Sequence, residues 1–226
     1  MPSMLLRADF DKVEHVETGR MEWVPSPAPG VERKMLDRIG EEAARATSLV
    51  RYAPHSSFPR HGHPAGEEFL VLEGTFYDDY GEFPAGTYVR NPPGTEHEPY
   101  TREGCVIFVK LRQFLPRDLE QKVVDTRDST AWTEFATGIE VLPLHSFGPE
   151  QVRLIRLSPG MDYQIPDGDQ GTELYILGGE VKVAGQALAT GDWWRSPGNR
   201  APIVCSKSAC VMAKTGPAAL FGAHWL

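Results

Sequence analysis

Short runs rich in Val, Ile, Leu, Phe and Tyr follow one another along the chain, with glycine or proline between them at short intervals; there are 22 Gly and 19 Pro. Segments such as FLVLEG (69–74) and LYILGG (174–179) are brief, apolar and rich in β-favouring side chains. That texture predicts an all-β protein with many turns. No long helical period is present. VERKMLDR (31–38) could pass for a helix by its charges, but a second stretch of the chain argues otherwise.

The pattern repeats at an offset of 105 residues. RYAP (51–54) recurs as RLSP (156–159), GEEFLVLEG (66–74) as GTELYILGG (171–179), GTYVRNP (86–92) as GDWWRSP (191–197), and Cys105-Val106 as Cys210-Val211. Turn glycines and strand faces must recur together if one β unit occurs twice, and here they do. Upstream, Trp23 with Gly30-Val31 echoes Trp132 with Gly138-Ile139 at a slightly drifting offset, so each copy is expected to begin near its tryptophan. The partner of VERKMLDR is IEVLPLH (139–145), which contains Pro143 and reads as a strand, so both are taken as extended. The boundary between copies falls in the charged stretch 117–130, giving expected domains of 1–118 and 119–226.

Composition narrows the class. The 226 residues are 41% hydrophobic and 24% charged, without an apolar run that would cross a bilayer as a helix. No membrane association is expected, and the acidic residues soon after the start leave no secretory or transit signal, so a cytosolic location is expected. A net charge of −8 argues against a nucleic-acid partner. Cys105, Cys205 and Cys210 are too few for a disulfide scaffold and read as buried apolar thiols; a redox pair of Cys205 with Cys210 is the sharper alternative.

Candidate chemistry concentrates in HGHPAGEEFLVLEG (61–74) and GTYVRNPPGTEH (86–97). His61 and His63 are two apart, so on a strand their imidazoles share a face. A turn through Pro64 to Gly66 then delivers Glu67 and Glu68, which point to opposite faces of the next strand. Glu67, on the face of Phe69 and Val71, is the expected ligand. The turn Pro92-Pro93-Gly94 brings in His97 as a third imidazole. His61, His63, Glu67 and His97 are thus candidate ligands of one divalent metal. His15, His55, His145 and His224 read as surface or solvated imidazoles, with His55 nearest the site in sequence. Under the repeat the four ligands fall on Pro166, Gly168, Thr172 and Pro202, so the second copy lacks a metal site of this kind. Trp193 and Trp194 read as core or interface.

These two segments resemble the paired motifs of the cupin superfamily: His-x-His, Glu and Gly, then Gly, Pro-x-Gly and His. The three residues between His63 and Glu67, together with ATSLVRYAP (46–54) and GTYVRNPPG (86–94), are similar to the cupin domain of ChrR-type anti-sigma factors. The resemblance covers most of residues 20–115 and implies metal ligation by His61, His63, Glu67 and His97, in two tandem jelly-roll barrels. Zinc is the first expectation for the metal, with iron, manganese or nickel as alternatives. It also implies a regulatory or sensory role in oxidative stress through a sigma factor. The sequence departs from that family in having no Cys before Cys105 and no Cys-x-x-Cys pair, which removes the usual sigma-binding zinc domain. The alternatives are a metal-dependent dioxygenase acting on a small chelating substrate such as a diketone or flavonol, and a small-molecule binder with a structural metal. Phe69, Tyr88 and Arg90 are candidate pocket neighbours, the catalytic residues stay undefined, and a homodimer is the expected assembly.

Overall fold

A computed structural model of the chain describes residues 4–41, 43–166, 168–198 and 200–217. His224 lies outside the described residues. Among them the regular structure is strand, interrupted by three single-turn 3-10 helices. The two doubtful segments are strands Val31–Ile39 and Ile139–Phe147. Pro143 is accommodated because the ladder slips register between Pro143 and His145, where a missing N–H costs least. No helix is long and apolar enough to cross a membrane.

The chain divides into two compact units. One is built from Glu22–Arg127 with the segment ending at Ala8, the other from Asp9–Met21 with the chain from Asp128 onward. This differs from a division into 1–118 and 119–226, and strand pairing is the reason. Lys122–Asp125 lies antiparallel to Thr87–Asn91 and so stays with the first unit. Glu14–Glu17 lies antiparallel to Asp192–Ser196 and so belongs to the second.

The first unit is an antiparallel sheet in the order Leu5–Leu6, Val31–Ile39, Arg45–Tyr52, Cys105–Leu111, Glu67–Asp78, Thr87–Asn91, Lys122–Asp125. A separate two-stranded pair, His61–Gly62 with Glu96–His97, completes it. Alternation along Glu67–Asp78 sends Phe69 and Val71 into a core with Tyr52, Phe76, Val89 and Ile107. Each such side chain contributes roughly 1.5–3 kcal/mol when fully buried.

The second unit repeats the order with Thr133–Ala136, Ile139–Phe147, Glu150–Leu157, Ala209–Thr215, Thr172–Gly178, Asp192–Ser196 and Glu14–Glu17. A four-stranded sheet of Asp162–Tyr163, Ile203–Cys205, Glu180–Val183 and Gln186–Ala189 accompanies it. Its interior is apolar, with Leu174, Ile176, Val183, Trp194 and Ile203 in one buried cluster. Trp193 is also buried and donates from Nε1 to Glu173 Oε1 at 3.0 Å.

The duplication extends to details of backbone bonding. Ala85 N–H bonds Gly74 O and Gly86 N–H bonds Val71 O, both at 2.8 Å; in the second unit Thr190 bonds Gly179 at 3.0 Å and Gly191 bonds Ile176 at 2.8 Å. Each tryptophan that opens a copy carries an arginine over its ring, Arg51 at 4.4 Å from Trp23 and Arg156 at 3.7 Å from Trp132.

Candidate metal centre

His61 and His97 are directly paired residues of the small antiparallel ladder, so their imidazoles stand side by side. His63 follows in a turn whose backbone is tied to the other segment: its N–H bonds Thr95 O at 2.8 Å, and its carbonyl accepts from Gly94 at 3.1 Å. Glu67 begins strand Glu67–Asp78, opposite Asn91 on one side and Leu111 on the other. The ligand atoms of His61, His63, Glu67 and His97 all lie within 4.8 Å of one another. Glu67 Oε1 is 3.5 Å from His63 Nε2 and 3.6 Å from His97 Nε2. Two donors each about 2.0–2.2 Å from a common ion can span such separations.

The hydrogen bonds decide which nitrogens are available. His61 Nδ1 lies 3.0 Å from the Pro59 carbonyl and His97 Nδ1 lies 2.9 Å from Asp78 Oδ2; both partners only accept, so both nitrogens carry the proton. Thr95 gives its single hydroxyl proton to Pro92 O at 2.8 Å, so it accepts from His63 Nδ1 at 2.9 Å. Every Nδ1 is therefore a donor and every Nε2 a lone pair. His63 Nε2 and His97 Nε2 are buried with no hydrogen-bond partner. Buried polar atoms are rarely left in that state, and two unpartnered imidazole nitrogens beside a carboxylate fit a divalent cation.

Electrostatics separate the two buried imidazoles. Burial pulls His63 below its ordinary pKa, and the charges of His97 and His61 add to this against an opposing pull from Glu67. Burial also acts downward on His97, but the hydrogen bond to Asp78 and the charges of Glu67 and Asp78 outweigh it and raise that ring.

The cluster opens into a cavity of about 480 Å³, bordered by all four residues and by Tyr52, Phe58, Phe76 and Arg112. Glu68 points the other way: its Oε2 accepts from Tyr88 at 2.7 Å and from Arg90 at 2.6 Å. Tyr88 and Arg90 are therefore not pocket neighbours, because they pair with Leu70 and Glu68 across the ladder and share that opposite face. Phe69 does share the face of Glu67 but packs deeper, 4.7 Å from the Phe76 ring. His55 is exposed and outside the cluster. His15 is half-buried and hydrogen-bonded to Asp192 at 3.1 Å, and His145 is 3% exposed, so neither is a solvated imidazole. The strands carrying them explain this, since His145 points inward from Ile139–Phe147. All three thiols are free, with pKa raised first by burial, Cys105 to about 12. That is opposite to the shift a redox-active thiol needs.

Three contributors escape sequence reasoning: Asp78, Thr95 and Asn91, whose Nδ2 donates to Glu67 Oε1 at 3.3 Å. Asp78 and Thr95 sit in DDYG (78–81) and PPGT (92–95), where they read as ordinary turn residues. In the second unit the equivalent positions offer one side-chain heteroatom, Thr172 Oγ1, and it is bonded to Gly168 O at 3.0 Å.

The family model described as ChrR Cupin-like domain matches residues 11–115 and again residues 120–219. No curated protein matches the chain. Among solved structures, a candidate dioxygenase from Nostoc punctiforme superposes with a TM-score of 0.70 at 16% identity, covering 92% of this chain and 84% of that one. The bacterial pirin YhhW of Escherichia coli, in complex with nickel(II), gives 0.67 at 14%, covering 91% and 100%. A single-site mutant of salicylate 1,2-dioxygenase from Pseudoaminobacter salicylatoxidans gives 0.59 at 13%, covering 78% and 72%. At such identities the likeness speaks for fold, that of two cupin barrels in one chain.

Proposed function

Because the chain belongs to the ChrR Cupin-like domain family, matched twice along its length, we propose that it is a metal-dependent cupin protein. Its first barrel presents a divalent metal to a small organic molecule, and dioxygenation of a chelating substrate is the reaction class. The observation that carries this reading is the cavity: His61, His63, Glu67 and His97 border a space of about 480 Å³. That lies within the roughly 300–1,000 Å³ of small-molecule sites, and a purely structural ion would need no such space.

The chain's own residues divide the task. His61, His63 and His97 would hold the metal through Nε2, and Glu67 through Oε1. A divalent metal bound there supplies Lewis-acid and, if redox-active, electron-transfer chemistry. Asp78 and Thr95 keep protons on the Nδ1 atoms of His97 and His63 and so hold each ring in its tautomer. The Asn91 amide fixes the orientation of the Glu67 carboxylate. Tyr52 is kept as a neutral phenol, well above its ordinary pKa, by burial and then by the charge of Glu67; it can donate a proton in a hydrogen bond to a ligand. Phe58, Phe76 and Val109 keep the wall dry.

Metal content and coordination number of the protein purified without added metal come first. One equivalent of an open five- or six-coordinate metal, lost in His97→Ala, is the expected result. Oxygen uptake by protein loaded anaerobically with iron(II), against a panel of diketones and flavonols, then tests the reaction class; zero turnover with every metal would end the dioxygenase reading. The family match favours a second reading, a sensory cupin carrying four-coordinate zinc. Pull-down against extracytoplasmic-function sigma factors tests it, and retention of none would remove it.

A further inference from the structure

The cavity beside the four-residue cluster carries a charge pattern that points to a ligand class; the inference rests on reading that cluster as a metal site. Much of the wall is apolar, formed by Val31, Val50, Phe58, Ile107 and Val109. Among the described residues lining it Glu67 is the one carboxylate, whereas three arginines line it, Arg33, Arg38 and Arg112. Arg33 pairs with Val50 across the ladder and so stands on the same face as that cavity-lining valine. Arg38 is committed to the backbone, donating to the carbonyls of Gly40 and Glu41.

Arg112 is different. It is half-buried, and its side chain makes no hydrogen bond or ion pair with any described residue. Its backbone N–H donates to Gly66 O at 2.8 Å, which places it beside the residue that precedes Glu67. Its φ of +58° lies in the left-handed region, where a side chain as long as arginine is uncommon. Such backbone conformations gather at ligand sites, where surrounding structure enforces them. A partly desolvated guanidinium without a partner gains most from an anion that meets its planar fork.

We propose that the cavity takes an organic carboxylate with an apolar aryl or branched-alkyl body, the carboxylate paired with Arg112 and the body against the apolar wall. A carboxylate matches a single guanidinium fork in shape and in charge. A phosphate, with more charge and more acceptors, would call for additional uncommitted donors.

Calorimetric titration of the full chain with phenylacetate and 4-methylpentanoate, each against its amide, tests this without relying on turnover. The acids are expected to bind at least about tenfold tighter than the amides, the range of a charge-assisted hydrogen bond. Arg112→Ala should abolish that preference with metal content unchanged. Arg112→Asn, a residue that tolerates positive φ, should do the same and serves if the alanine variant folds poorly. Equal affinity for acid and amide, or a preference that survives both substitutions, would overturn the proposal. Tighter binding of phenyl phosphate than of phenylacetate would overturn the choice of carboxylate. If the wild-type protein carries no metal, the metal reading fails, yet titration of the metal-free chain still decides whether Arg112 reads a carboxylate.

Discussion

The carboxylate of Asp78 accepts a hydrogen bond from His97 Nδ1 at 2.9 Å and, with its other oxygen, one from the Tyr80 amide at 2.7 Å. The ring can then neither turn nor exchange tautomers without breaking a buried hydrogen bond. Partners of this kind typically account for 10–100-fold in metal affinity. Asp78→Ala is therefore expected to weaken metal binding by about that factor, read by competition with a chromophoric chelator, while the far-ultraviolet circular dichroism keeps its β signature. Unchanged affinity would show that Asp78 does not tune the site. At this scale the sequence exposed the four converging side chains, because spacing and alternation act over a few residues; alternation alone separates Glu67 from Glu68. It did not expose Asp78, Thr95 or Asn91, since each meets its partner only through strand pairing distant in sequence. The same blindness led to Tyr88 and Arg90 as pocket neighbours, because which face they share with Glu67 depends on the register of Thr87–Asn91.

Strands and their connections show why the two copies keep the same glycines while their chemistry differs. Gly74 and Gly179 have φ of +66° and +81°. A Cβ on Gly74 would sit 1.9 Å from the carbonyl oxygen of Gly104, and one on Gly179 would sit 2.0 Å from that of Ser208. The obstacle is backbone, so no rotamer change relieves it. Left-handed strain of about 1–2 kcal/mol and crowding of about 1–3 kcal/mol add, so Gly74→Ala and Gly179→Ala should each cost roughly 2–5 kcal/mol. Urea unfolding measures this, and a loss below about 1 kcal/mol in either variant would contradict the shared geometry. The repeat was legible because these turn requirements recur in the sequence at one offset. The difference between the copies was legible for the same reason, since Pro166, Gly168, Thr172 and Pro202 stand at the positions equivalent to His61, His63, Glu67 and His97.

For the whole molecule, the assignment of arms to units is what the sequence left hidden. Lys122–Asp125 and Glu14–Glu17 each stand just ahead of a copy, yet each forms an outer strand of the other. Periodicity within a segment says nothing about which distant edge it will cover. A fragment of residues 1–118 would lack the strand that covers Thr87–Asn91 and would expose an open edge, a known route to self-association. A fragment of residues 1–127 keeps that strand, and both fragments keep Leu5–Leu6 on the opposite edge. The first should elute as aggregate or dimer and unfold at lower urea than the second, and identical behaviour in size-exclusion chromatography and urea titration would show that the arm is dispensable.

The arms also set an order of events during synthesis. Residues 9–21 leave the ribosome well over a hundred residues ahead of their partner Asp192–Ser196. At about 5–20 residues per second, the leading arm waits roughly ten to thirty-five seconds. Lys122–Asp125, by contrast, follows Thr87–Asn91 within a few dozen residues. The barrel with His61, His63, Glu67 and His97 can thus close while the other half is still being translated. The second barrel is completed by a strand made before the rest of it.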